Sequence, residues 1–430
     1  DDSGSMAWEV MPGAANNLDA IPYKSTLTDD IRRRAANLNV LWYNPLIEYK
    51  PWLKHDGSAY PASDPLAAPK DPSGSVQTGT QNLANSDWNT SYGYQRFYVL
   101  DEGKAPDKAE NYKRYEFRHV KGTWEARVYT LNSSGEIVTK TPSLKPTEFV
   151  WPGKAPRSIE AEVKNFANWF SYYRTRANIA KASASHVFAE LNEGFRVAYD
   201  TIHNRETLLI PVGNSDGLFS GENKQAWFER LFKTTASSGT PLREALGRTG
   251  EYFTESGASG PYGPEEGSNQ LTCRQNFAIL TTDGYWNGNA ASNSNAREDN
   301  DSKDGDRDGK KITGPEGAEF KYEAVSPYKD DRSNTLADVA MYYWKNDLRP
   351  SLENNVPTVG ENKAFWQHMR TFGVSIGEKG VLDPTTDLDA LKSGAKTWPA
   401  PGDARQANID DLWHAALNSQ GQFIVASDPQ

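Results

Sequence analysis

From Ser158 onward the apolar positions fall three or four residues apart. Val163, Phe166, Phe170, Tyr173, Ala177, Ala180, Ala184, Val187 and Leu191 make one stripe, which predicts a single long amphipathic helix ended at Gly194. Its alanines permit close packing on a sheet. Beyond it the period changes repeatedly: residues 195–199 read as a strand, 224–233 and 241–253 as helices, and 277–281 as an apolar strand. A helix at 336–345, a strand at 372–376, a helix at 409–417 and a strand at 423–426 continue the alternation. Alternating helices and strands predict an α/β fold, a parallel sheet with helices on both faces. Ligands of such sheets bind at the C-terminal ends of the strands.

Residues 40–157 have a different texture. Short aromatic segments at 40–43, 96–100, 112–120, 124–131 and 136–140 read as strands between stretches of Gly, Ser, Pro and Asn, with hairpin turns at Lys121-Gly122-Thr123 and Asn132-Ser133-Ser134-Gly135. We read this as a β-rich insertion, with 55–93 as a long surface loop. Ahead of it, residues 8–23 show no clear period, and 28–38 form a short helix with Thr28 as N-cap and acidic residues in the first turn. The expected organisation is therefore 1–39 as the start of the α/β domain, 40–157 as the insertion, and 158–430 as the remainder, itself carrying a long loop insertion at 285–332.

The chain opens Asp1-Asp2-Ser3-Gly4-Ser5. Alternate spacing turns the oxygens of Asp1, Ser3 and Ser5 the same way, and such a set suits a hard divalent cation. Taken singly, each candidate has a plainer reading. The opening could be a polar terminus, Thr240 before Pro241 a helix N-cap, and Asp283 before Gly284 a turn residue. Together they fall in order at predicted strand ends, and the metal reading explains all of them. Asp304, Asp306 and Asp308 spell Asp-x-Asp-x-Asp-Gly, the opening of a calcium loop, but its twelfth position is Pro315 and the closing Glu316 comes one residue late. The same run also reads as a solvated acidic loop.

The pattern Asp-x-Ser-x-Ser, then Thr240, then Asp283 resembles the metal-ion-dependent adhesion site (MIDAS) of von Willebrand factor A domains. The words SGTPLREAL, FAILTTDGYWNG, SNTLADVAMYYWKNDLRP and IDDLWHAALNSQGQF are similar to the N-terminal half of the PilC/PilY family of type IV pilus tip adhesins. The resemblance implies a von Willebrand factor A-like, Rossmann-like sheet. It implies metal ligation by Asp1, Ser3, Ser5, Thr240 and Asp283, the last two directly or through water. Mg²⁺ is the first expectation, with Mn²⁺ or Ca²⁺ as alternatives and a further Ca²⁺ in the acidic loop. It also implies a binding module rather than an enzyme, exported to the bacterial cell surface and the pilus tip, where it would serve adhesion and pilus biogenesis. A carboxylate of a host or abiotic surface ligand would complete the ion's shell, while minor pilins would be contacted through parts outside this chain.

Composition narrows the alternatives. Acidic residues number 57 against 47 basic, a net charge of −10 with no Lys/Arg block, which argues against nucleic acid or anionic membrane as partner. Mean hydropathy is −0.75 and no apolar run is long enough to span a membrane. Cys273 is alone, so no disulfide closes within the chain. Gly373-Val374-Ser375-Ile376-Gly377 matches a nucleophile elbow but alternates as a strand with no helix directly after it, and the six histidines lack zinc spacing. The rival functions are a metal-assisted hydrolase, which lacks a placeable acid and base, and a glycan-binding exported protein with the aromatic insertion as its sugar platform. Because the chain begins at Asp1, and a metal Asp of this kind ends a buried parallel strand, an apolar strand is expected ahead of residue 1. Ser427-Asp428-Pro429 reads as a further helix start.

Overall fold

The computed structural model describes residues 1–11, 27–84, 95–205, 207–402 and 405–426. Much of the aperiodic stretch 8–23 and the helix start at 427–429 lie outside them. Two compact units emerge: Asp1–Gly4 with Asn192–Arg230 and Ser237–Ala426, and Ser5–Leu191 with Leu231–Ala236.

In the second unit, α1 (Asp29–Arg34) starts where the Thr28 side chain accepts the Ile31 N–H, and it ends at Ala35, earlier than predicted. Strands β1 (Arg96–Leu100), β2 (Tyr112–Val120) and β3 (Thr123–Thr130) pair antiparallel in that order. Lys121 and Gly122 take φ of 49° and 86° between β2 and β3, the left-handed pair that a tight hairpin of the correct twist requires. Two predicted strands are absent. At 40–43 the Asn39 carboxamide accepts the Met11 and Leu41 N–H groups and bends the chain, so Trp42 and Tyr43 are buried by ring packing instead of strand pairing. At 136–140 the pairing stops at a single bridge, Leu131 to Ile137.

The long helix is two helices, α2 (Ile159–Tyr172) and α3 (Arg176–Glu190). Thr175 causes the break: it is extended, and its side chain accepts the Asn178 N–H as a new N-cap. Both helices belong to the aromatic unit, so the boundary falls at Leu191, not at 157. Phe166 lies against Tyr43 and Phe117, the Trp52 indole donates to the Tyr172 carbonyl, and Glu162 accepts the Tyr43 hydroxyl at 2.6 Å.

The first unit holds α4 (Gly221–Lys233, whose last three residues belong to the other unit), α5 (Leu242–Tyr252), β4 (Asn276–Thr282), α6 (Leu336–Lys345), β5 (Met369–Ile376), α7 (Leu388–Lys392), α8 (Ala407–Asn418) and β6 (Phe423–Ala426). The sheet is parallel, ordered β6-β5-β4, with Met369 opposite Asn276 and Gly373 opposite Phe423. Residues 195–199 make only isolated bridges, Arg196 to Leu218 and Tyr199 to Leu208, and form no strand. Helices α5, α6 and α8 pack on the face carrying Ala278, Leu280 and Met369, where Leu242, Leu246, Val339, Leu412 and Ala415 complete the core. A Cβ on Gly250 would stand 2.3 Å from the Tyr343 ring, which is how closely α5 approaches α6.

Helices were expected on both faces, but among the described residues only this one is covered. Ile279 is 61% exposed and Ile424 56%, with Phe277 beside them on the opposite face. β4 lies at the sheet edge, with its C-terminal end leading directly into Asp283.

Candidate metal centre

Thr282 is the last residue of β4, and it and Asp283 are both fully buried. The first turn of the chain meets this strand end. The Thr282 hydroxyl donates to Asp1 Oδ2 at 2.9 Å, and the Asp283 N–H donates to the same oxygen at 3.3 Å. Asp1 Oδ1 accepts the Ser3 N–H at 2.7 Å, which closes the turn. Ser3 Oγ then lies 3.5 Å from Asp283 Oδ1, long for a hydrogen bond but close to the spacing of neighbouring ligands around one ion.

Asp2, which the sequence reading passed over, does the anchoring. Its carboxylate accepts the His203 and Asn204 N–H groups at 2.8 and 2.9 Å, and its carbonyl accepts the Ser237 N–H. The Gly4 N–H donates to the Ser238 carbonyl, so the 237–240 loop is tied to residues 2–4. Thr240 is buried in that loop, where its N–H donates to Asn287 Oδ1 and its carbonyl accepts the Asn287 N–H. It is not the helix cap: Pro241 occupies that position, and no side chain caps α5. An open pocket of about 290 Å³ lies alongside, lined by His203, Arg205, Gly239, Pro241, Glu244 and Asn287 among others.

The structure therefore brings Asp1, Ser3 and Asp283 together, with Thr240 in the adjoining loop. Ser5 falls in the other unit, in the 3₁₀ turn Gly4–Ala7, where its carbonyl accepts the Trp8 N–H. The donors at the β4 end are hard oxygens, which fits a hard divalent cation.

Asp304, Asp306 and Asp308 each carry hydrogen bonds or ion pairs in the acidic loop. Asp304 Oδ1 accepts the Ala324 N–H, Asp306 Oδ1 accepts those of Asp308 and Lys310, and Asp308 pairs with Arg307 and Lys310. Ser375 sits buried in β5, with its hydroxyl donating to the Glu378 carbonyl.

The opening motif recurs at Asp71-Pro72-Ser73-Gly74-Ser75, a repeat readable from spacing alone that the sequence reading missed. Asp71 Oδ1 accepts the Ser73 N–H and hydroxyl, and Ser73 and Ser75 Oγ lie 2.8 Å apart. A cation is present at this turn: the buried Lys181 Nζ donates to Ser75 Oγ at 2.5 Å, to Ser73 Oγ at 3.2 Å and to the Phe232 carbonyl, 3.9 Å from Asp71 Oδ2. Burial lowers the Lys181 pKa to about 8, so it is charged at neutral pH.

The fold and the first turn thus define a mixed α/β protein with a candidate cation-binding cluster at the end of a parallel strand. The chain is similar to the type IV pilus biogenesis factor PilY1 of Pseudomonas aeruginosa. It is 33% identical over 302 residues to that of strain PAK (63% of this chain, 25% of the relative) and 31% identical over 468 residues to that of strain UCBPP-PA14 (100% of this chain, 36% of the relative). To the PAO1 protein it is 28% identical over 472 residues (100% and 36%). No family model matches the chain, and no solved structure does. The chain belongs to the PilC/PilY family. It spans about a third of the length of the PilY1 proteins that it matches end to end. No helix among the described residues is long and apolar enough to cross a membrane.

Proposed function

We propose that this chain is the metal-dependent binding portion of a type IV pilus-associated protein, a von Willebrand factor A-like module displayed at the bacterial cell surface and pilus tip. It would act in attachment and pilus assembly as a binding protein, not an enzyme. Support comes from the relatives, which are pilus biogenesis factors by name, and from one observation above all: Asp1, Ser3 and Asp283, far apart in sequence, meet at the end of β4.

Asp1, Ser3 and Asp283 would hold a divalent cation, Mg²⁺ first and Mn²⁺ or Ca²⁺ next, with Thr240 beside them. When bound, the ion supplies a Lewis-acidic position for a ligand oxygen. The protein's own part is to orient. The Thr282 hydroxyl and Asp283 N–H fix one Asp1 oxygen, the Ser3 N–H fixes the other, and Asp2 locks the turn to 203–204 and 237. Because the rest of the shell is neutral hydroxyl and water, the ion would keep a position that a carboxylate of a host or abiotic surface ligand can take by displacing water. Minor pilins would be engaged through parts of the longer protein outside this chain.

Calorimetric titration of Mg²⁺ into the chain and into Asp283→Ala tests this. Binding is expected in the first and not in the second. Equal heats in both, or none in either, would overturn the metal reading.

A further inference from the structure

We propose that the charged face of the three-stranded antiparallel sheet binds an acidic polysaccharide of the polyuronate class, a chain of sugars bearing carboxylates. Cross-strand pairing builds this face. Arg96 of β1 and Arg127 of β3 both stand directly opposite Glu116 of β2, and Arg114 and Arg118 flank the same glutamate two residues away on its own strand. Residues directly opposite, like residues two apart, share one face of a sheet. One carboxylate is therefore ringed by four guanidiniums, whose backbones lie about 5 Å away across the strands and about 7 Å away along β2.

The charges on this face do not balance. Glu116 accepts from Arg114 and, at 3.1 Å, from Arg118. Arg127 pairs with Glu125 at 3.3 Å, and Arg96 shares Asp30 with Arg34. Among the described residues, five guanidiniums thus meet three carboxylates, in a chain whose net charge is −10. A guanidinium has about five N–H donors and a carboxylate about four acceptor positions, so donors remain for oxygens from outside. The crowding is felt within the sheet: burial, and next the charge of Arg114, lowers the Arg96 pKa.

Only part of the sheet can be reached. The opposite face is spent on packing, with Phe97, Tyr115 and Phe117 against Trp151 and Phe166. Helix α1 covers the Tyr98 and Tyr112 end of the charged face. The other end is open, and Arg118 there is 46% exposed.

The make-up of the face selects the partner. Interfaces with folded proteins have an apolar centre, and single-stranded nucleic acid stacks on exposed rings. Here the rings, Tyr98 and Tyr129, are buried, and Val120 at the rim is the large apolar side chain left exposed among the described residues of this face. A polyuronate needs neither feature. Each of its carboxylates can take a guanidinium as Glu116 does, and its hydroxyls can accept from the donors that remain.

Calorimetric titration of oligogalacturonate into the chain, with EDTA present to exclude bridging metal, tests this. Binding is expected, with none of dextran. It should weaken as salt rises toward about 1 M, where charges act over about 3 Å, and it should persist in Asp283→Ala, which separates it from the centre at Asp1. Arg118→Gln/Arg127→Gln should bind about tenfold or more weakly. Glu125→Gln, which removes a competing carboxylate from an exposed position, should bind more tightly, an effect that purely structural arginines would not give. The proposal is overturned if oligogalacturonate does not bind, if the double variant, folded by circular dichroism, binds as its parent does, or if duplex DNA or polyglutamate binds more tightly than the sugar. Where the double variant fails to fold, Glu125→Gln decides, and unchanged or weaker binding by it overturns the proposal.

Discussion

The Thr282 hydroxyl and the Asp1 carboxylate, 281 positions apart, share a 2.9 Å hydrogen bond. With the Ser3 N–H on the other carboxylate oxygen, the Asp1 side chain is oriented before any ligand arrives. Thr282→Val should therefore cost about 1 kcal/mol in stability and weaken Mg²⁺ binding about 10–100-fold. Thr281→Val, whose side chain points to the opposite face of the strand, should change neither. Denaturation and calorimetry on the two variants check this.

Lys181 neutralises a carboxylate that is itself buried, since Asp71 is 5% exposed. Lys181→Met should destabilise the aromatic unit by about 3–5 kcal/mol, the cost of breaking a buried pair from one side. The double variant Lys181→Met/Asp71→Asn should lose clearly less than the single. Urea denaturation followed by tryptophan fluorescence measures both.

His368 is neutral by construction. Its Nδ1 is 2.6 Å from the Trp366 carbonyl and its Nε2 is 3.0 Å from Asn362 Nδ2, while Asn362 Oδ1 accepts from Trp344 and Ala364. Nδ1 therefore carries the proton and Nε2 accepts. Desolvation, aided by the charge of Arg370, lowers its pKa from 6.5 to about 4. Because the folded value is the depressed one, its contribution is present above about pH 6.5 and is lost as pH falls toward 4, by up to about 3 kcal/mol. His368→Gln should flatten that part of the stability profile, and Asn362→Asp should raise the His368 pKa, read by NMR titration.

The two faces of the sheet should respond differently to substitution. Leu280→Ala removes core contacts with α5, α6 and α8 and should cost about 2–5 kcal/mol. Ile279→Thr, next to it and 61% exposed, should stay within about 0.5 kcal/mol. Parallel melts of the two variants decide it.

Periodicity was legible wherever a segment makes its own hydrogen bonds or repeats a side-chain face. The bounds of β1, β2, α6 and β6 match those read from the sequence. It failed where a single polar side chain redirects the backbone. Asn39 turns the aromatic run at 40–43, and Thr175 restarts a helix whose apolar stripe continues unbroken across it. The cluster at Asp1 was legible in part, because spacing shows which oxygens can point together. Asp2 and Thr282 were not, since one binds only backbone and the other looks like any strand residue. The grouping of Asp299, Asp301 and Asp338 was hidden for another reason. Its members come from a loop and a helix start, and neighbouring Asp304, Asp306 and Asp308 spell a more familiar motif.

The turn at Asp71 carries its positive charge on a tether. An ammonium borne by α3 cannot be diluted away, exchanged or extracted by a chelator, because its effective concentration is set by a helix and not by the surrounding fluid. A divalent ion at Asp1 would have none of that security. In an ion-poor medium, or against a chelating polyanion, the aromatic unit would keep its shape while the strand end lost its ligand. Attachment through that strand end would then report on the ionic character of the surface it meets.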